Sequence, residues 1–285
     1  MRFEDFARAH GLIINTLTPH KWVSTPTEDH PHKRNGRYKF IGDVGWVQNW
    51  ATMQAPVMWK SDKPVSVDWR KQAQKADRER QEAAKKASAK AGWILHQCKT
   101  EHHPYLEAKG FEEEVGNVWT TDNGERLLVV PMRINGNLVG AQLISDKGVK
   151  KFLQGQTTKG AAFVMDAKGI PIFCEGYATA LSIRAAMKAV KLRYTIYVCF
   201  SAGNIKEVAG RVGGGIVVAD HDPNGVGENA ALSTGKPYWI SPTVGDDFND
   251  HHKRVGIFQA ATSLKNLILQ HNTPSSHART SLQSA

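Results

Sequence analysis

The sequence predicts an α/β chain: a parallel sheet flanked by helices, preceded by an α+β segment and a small β-rich module at the front. Three observations carry that reading. From residue 163 onward, strand-like and helix-like runs alternate. Ahead of them, short β-like runs are separated by turn formers. Between these parts lies a long, highly charged helical stretch.

The alternating part is the most regular. PIFCE reads as a strand and ATALSIRAAMKAV as a helix. TIYVCF is a strand, NIKEVAGRV a helix, GIVVAD a strand, VGENAALST a helix and PYWI a last strand. Strands alternating with helices predict a parallel sheet. Right-handed crossovers place all the strand C-termini at one edge, where ligands of such sheets bind. Glu175, Phe200-Ser201 and Asp220 all fall there.

Residues 1–65 are aromatic and rich in turn formers, with β-like pieces RYKFIG and GWVQNW and a hairpin expected at Asn35-Gly36. Residues 68–92 are charged and strongly helix-forming, with few apolar side chains larger than Ala, which predicts a solvated linker helix. RLLVVPMRI and NLVGAQLIS then flank Asn135-Gly136, a second expected hairpin, and GVKKFLQ follows. The tail HNTPSSHARTSLQSA is polar and aperiodic, so disorder is expected.

Composition narrows the function classes. Of a formal charge of +10, residues 1–110 carry +7, from 19 Lys and Arg against 12 Asp and Glu. A basic front half favours a polyanionic partner. No apolar run approaches the roughly 20 residues that cross a bilayer, and MRFEDFARAHG does not read as a secretory signal. Cys98, Cys174 and Cys199 are far apart and form no CxxC pair, so a zinc ribbon is not expected and a cytoplasmic location fits best. There is no GxxxxGK[ST] loop and no GxSxG elbow.

The chemistry lies in the acidic residues. IPIFCEGYATALSI carries Glu175 at a strand end, and GIVVADHDPNG carries Asp220 with Asp222 two residues on. A third group, Asp246, Asp247 and Asp250 in GDDFNDHHK, follows the last strand. Any single carboxylate is more often a cap or a surface charge. Three segments at one edge of one sheet gather negative charge that a divalent cation would offset. Metal-dependent phosphoryl transfer follows as the expected chemistry.

Taken together, EGYATALSI, FSAGNIKEVA, VVADHDPNG and DDFND resemble the Toprim domain, and more narrowly the Toprim primases of phages and conjugative plasmids. HPYLEAKG, LLVVPM, NLVGAQLI and GVKKFLQG are similar to the first half of the same primase core, and RNGRYKF with GWVQNWATM to its front end. The resemblance implies a module at 1–66, a linker helix at 67–92, an N-terminal core subdomain at 93–164, a Toprim domain at 165–265 and a tail at 266–285. It implies a primase that makes short primers from NTPs on single-stranded DNA with Mg²⁺ or Mn²⁺, and a separate replicative helicase as partner. Glu175 matches the catalytic glutamate. Asp220, Asp222, Asp247 and Asp250 match the metal-binding positions, with Asn249 completing the last motif. Thr179 stands where an aspartate is usual in the bacterial replicative enzymes, and the zinc-binding cysteines of the front end are missing.

Cationic groups expected to contact nucleotide or template are Arg126, Arg133, Lys150, Lys151 and Lys159, with Asn204 beside them. Trp22, Trp46, Trp50 and Trp59 serve either as core of a small module or as stacking surfaces for single-stranded bases. Two other functions use the same residues: a Toprim metal-dependent nuclease, in which water replaces the 3′-hydroxyl, and a non-catalytic nucleic-acid-binding protein with a relic site.

Overall fold

A computed structural model of the protein describes residues 1–62 and 67–272, in two compact units, one covering Met1–Gln81 and a second beginning at Glu82.

In the first unit, helix α1 (Phe3–Ala9) lies against an antiparallel sheet of β1 (Trp22–Thr25), β2 (Gly36–Ile41), β3 (Val44–Asn49) and β4 (Val57–Lys60), in that order. Phe3, Leu12, Tyr38, Val47 and Trp59 make its core. The Phe3 ring stacks on Phe40 and meets the edge of Trp59. Gly45 leaves room for it, since a Cβ there would lie 2.3 Å from the Phe3 ring. The hairpin expected at Asn35-Gly36 is not formed. Gly36 is instead the first residue of β2, opposite Thr25, and the tight turn is Gly42-Asp43, with Gly42 at φ 61°. Gly36 serves close packing under Thr27, a need that an Asn-Gly pair in a sequence does not distinguish from a turn.

Helix α2 (Val67–Gln97) contributes its later part to the second unit. There it is not merely solvated. Ala87, Ala91 and Ile94 pack against Val129, Ala141 and Leu153. The apolar stripe is built on alanines, which a reading focused on larger side chains passes over.

The surface it covers is an antiparallel sheet of β5 (Lys99–His102), β6 (Val115–Thr120), β7 (Arg126–Ile134), β8 (Asn137–Ser145) and β9 (Lys150–Phe152), with helix α3 (Pro104–Ala108) after β5. Asn135 and Gly136, both at positive φ, form the expected two-residue turn between β7 and β8. The other face of this sheet, through Leu128, Val130, Met132 and Ile144, enters the main core.

That core is shared with a second sheet, ordered β10-β12-β11-β13-β14. Its strands are β10 (Phe163–Asp166), β11 (Ile170–Cys174), β12 (Tyr194–Val198), β13 (Ile216–Ala219) and β14 (Tyr238–Ile240). The last four run parallel, and β10 is antiparallel to β12. Helix α4 (Tyr177–Ala189) packs with α7 (Phe248–Val255) and α8 (Ile257–Asn272) on the main-core side, and α5 (Ala202–Arg211) and α6 (Val226–Leu232) cover the opposite face. Residues 266–272, read from sequence as the start of the tail, belong to α8, where Ile268 is buried. Residues 273–285 lie outside the described residues.

Candidate active site

Glu175 is the first residue beyond β11, and Asp220 the first beyond β13. These strands are neighbours in one parallel pair, so the two carboxylates leave the same edge side by side. The ladder between β11 and β12 runs on past Cys174, with the Cys199 amide donating to the Cys174 carbonyl and the Phe200 amide to the Glu175 carbonyl. Phe200 then takes φ 67°, a strained turn for an aromatic residue, and the chain enters α5. The Ala202 amide, in the first turn of α5, donates to the Glu175 carboxylate. The positive end of a helix thus holds the glutamate.

The Asp220 loop is shaped by Gly227. A Cβ at residue 227 would come within 2.2 Å of the Asp220 carbonyl oxygen. Only glycine lets α6 begin that close. Asp222 accepts from the Gly227 amide through its carboxylate, 3.1 Å away. His221 reaches across to the last acidic loop: its amide donates to the Asp246 carbonyl, and its own carbonyl accepts from the Gly245 amide. Asp247 arrives beside Asp220 in this way.

The acidic residues of that loop part company. Asp246 pairs with Arg254 at 2.6 Å. Asp247 and Asp250 form a capping box at the start of α7, each accepting from the other's amide. Of these residues, only the charge of Asp247 bears on Asp220. Asp250, expected as a metal ligand, is occupied with the helix start. Asn249 is buried and donates to the Lys109 carbonyl and the Ser182 hydroxyl, so it anchors α7.

Burial, then Asp247, Glu175 and Asp222, push the Asp220 carboxyl up to about 7. Burial and Asp222 also raise Glu175, against the opposing pull of Lys150 and the Ala202 amide. The Asp220 Oδ1 atom is buried without a hydrogen-bond partner. A buried, crowded and partly unsatisfied carboxylate is costly unless something positive occupies the space beside it.

Lys150 is the lysine that faces this rim, for its charge lowers both Glu175 and Asp220. Alternation along β9 sends Lys151 to the other face of the sheet. There it lines, with Arg126, Leu127, Leu143, Lys147 and Val149, a cleft of about 480 Å³. Arg126 also donates to the His102 carbonyl and pairs with Glu101. Arg133 donates to the Gly136 carbonyl in its own hairpin. Lys159 pairs with Glu207. Asn204, expected near the nucleotide, spends its amide on the Gly160 amide and the Ala161 and Cys199 carbonyls, which fixes the 160–162 loop to the end of β12.

Two residues near the rim, Phe152 and Tyr105, carry no site signal in the sequence. Phe152 shares a face of β9 with Lys150 and meets the edge of Phe200 at 6.3 Å between ring centroids. Tyr105 buries an unpartnered hydroxyl on which the charge of Asp247 acts. Exposure at a strand end is the missing signal for the first, and tertiary contact for the second. In the first unit Trp59 is core, whereas Trp22 and Trp50 are exposed and hold the Arg37 guanidinium between them at 4.5 and 5.9 Å. Lys39 lies over Trp46 on the same sheet.

Among the described residues, no three His, Cys, Asp or Glu side chains are arranged to hold a metal ion by themselves. The donor set nevertheless fits magnesium or manganese. Such ions take oxygen ligands, and magnesium usually keeps only one or two carboxylates, with water and substrate phosphate completing the shell. The unpartnered Asp220 Oδ1 offers one such oxygen. Among the described residues no helix is long and apolar enough to cross a membrane.

No protein-family model and no curated protein matches the chain. Several solved chains resemble it, among them these two. One is bacteriophage T7 lagging-strand DNA polymerase interacting with primase domains of two gp4 subunits bound to an RNA/DNA hybrid and dTTP. The matching chain there is 15% identical, with a TM-score of 0.42 over 60% of this chain and 92% of that one. The other is a DNA primase domain from Pseudomonas aeruginosa, 16% identical, with a TM-score of 0.34 over 54% of this chain and 59% of that one. The match thus spans less than two-thirds of the Pseudomonas chain.

Proposed function

We propose that this chain is a Toprim-type DNA primase, joining NTPs into short primers on single-stranded DNA with a divalent cation. One observation carries the reading. Glu175, Asp220, Asp222 and Asp247 concentrate their charge at the C-terminal edge of a parallel sheet, leave Asp220 Oδ1 unpaired, and face Lys150. The likeness of EGYATALSI, VVADHDPNG and DDFND to Toprim primases supports it. A relic site would gain by losing an unpaired buried carboxylate, so its presence speaks against a purely structural role.

Asp220 and Asp222 would hold the cation, with Asp247 beside them. When bound, it supplies charge neutralisation at the transferring phosphoryl group and an in-line arrangement of the reacting oxygens. Lys150 binds the nucleotide phosphates from the opposite side. Glu175, whose burial keeps it basic enough to take a proton, accepts the proton of the primer 3′-hydroxyl as that oxygen bonds to the α-phosphorus of the NTP and the α–β anhydride bond breaks to release pyrophosphate. The Ala202 amide fixes its carboxylate for that role. In the first unit, Trp22 and Trp50 offer exposed rings to the bases of a single-stranded template, with Arg37 and Lys39 for its phosphates.

Incubation with single-stranded DNA, labelled NTPs and Mg²⁺ or Mn²⁺ tests the proposal. Short labelled products are expected. Shortening of the template without new product would identify a nuclease instead.

A further inference from the structure

We infer that Phe152 is the surface on which the base of the incoming nucleotide stacks, an inference that rests on the primase reading above. Phe152 is 45% exposed, although on the same sheet face Leu128, Val130, Met132 and Ile144 of β7 and β8 are buried in the main core. A single exposed apolar residue needs no explanation. This one is held in a defined place. It ends β9, an edge strand, so one side of its ring has no strand against it. The next residue, Leu153, is buried against α2, and its amide donates to the Gln156 side chain, which also accepts from the Ala141 amide. The strand end is therefore pinned on its opposite face.

Across from it, Phe200 meets the Phe152 ring nearly edge-on, at an interplanar angle of 80°. Phe200 is locked by its left-handed backbone and by the hydrogen bond its amide donates to the Glu175 carbonyl. A continuous line of contacts thus sets the Phe152 ring relative to the catalytic glutamate. Lys150 lies two residues earlier on the same face, about 7 Å along the strand, and its charge acts on Glu175 and Asp220. A nucleotide whose phosphates lie between Lys150 and the acidic rim has its base within reach of the Phe152 ring. Stacking on a phenyl face reads no base edge, so all four nucleotides are accepted.

The test is nucleotide affinity, measured directly by equilibrium binding of each of the four labelled NTPs, alongside steady-state primer synthesis. Phe152→Ala is expected to weaken binding about five- to 150-fold for every NTP, with the gain in KM outweighing any change in kcat. Phe152→Tyr is expected to restore affinity, and Phe152→Leu, apolar but unable to stack, to resemble Phe152→Ala. Unfolding curves matching wild type keep the comparison to folded protein. Wild-type affinity in Phe152→Ala, or full rescue by Phe152→Leu, would overturn the inference. Wild-type protein that binds NTPs yet makes no primer would contradict the primase reading alone. Wild-type protein that binds no NTP would overturn both.

Discussion

The imidazole of His221 donates from Nδ1 to the carbonyl oxygen of Ser241 across 2.7 Å. Together with two backbone bonds between 221 and 245–246, it ties the Asp220 loop to the loop that delivers Asp247. His221→Ala removes the side-chain part of this tie. A loss of about 1–2 kcal/mol is expected, read as a lower thermal midpoint, together with a higher divalent-cation requirement for activity. An unchanged cation requirement would show that Asp247 is positioned without this bond.

The Asp220 carboxyl should cost cation-free protein stability as pH rises from about 3.8 to about 7. The Asp220 carboxyl is raised to about 7 from its ordinary 3.8. Between those values the folded chain holds a proton that the unfolded chain has released, so raising the pH destabilises the fold, and above both values the penalty is complete. The buried His103 and His251 and the half-buried His252, all lowered by desolvation, push the other way as pH falls. The comparison that isolates the carboxylate is therefore wild type against Asp220→Asn. The variant is expected to be the more stable at pH 8 by on the order of a few kcal/mol, with the gap closing toward pH 5. Added Mg²⁺ should stabilise wild type more at pH 8 than at pH 5. A gap that widens on acidification would contradict the burial of Asp220.

Lysines that look alike in sequence should separate in kinetics. Lys150→Ala is expected to raise the KM for NTPs about tenfold or more, because it removes a charge facing the acidic rim. Lys159→Ala, which breaks only an exposed pair with Glu207, should change it less than about twofold. Equal effects in the two would remove the distinction between them.

Trp22→Ala combined with Trp50→Ala should weaken binding of an oligothymidylate about fivefold or more without unfolding the first unit, since both rings are exposed. Fluorescence titration checks this. Binding that depends on salt but not on these rings would assign the module a purely electrostatic role.

Much of the architecture was legible because the chain from 163 onward obeys simple periods, and the strand ends could be read to within a residue of Glu175 and Asp220. Asn35-Gly36 carries a turn signal that the fold does not use, because Gly36 meets the tertiary demand of packing beneath Thr27. At the site, residue type revealed the carboxylates but not their partners. Asp247 and Asp250 are three apart in the same motif, yet only the charge of Asp247 bears on Asp220. Lys150 and Lys151 are adjacent, and strand alternation sends one to the acidic rim and the other to the far cleft. Asn204 has a polar side chain near the C-terminal edge of the parallel strands, but its amide is consumed by three backbone groups. Contacts between distant segments decide such cases, and no local pattern encodes them.

Primer synthesis by Glu175→Gln and Asp220→Asn, beside wild type on single-stranded DNA with labelled NTPs and Mg²⁺ or Mn²⁺, tests the central claim most directly. Both substitutions keep the side-chain shape and remove one of the charges that crowd the rim. Short labelled products from wild type, falling by about a hundredfold or more in each variant while both remain folded, are the expected result. Products undiminished in either variant would contradict the account.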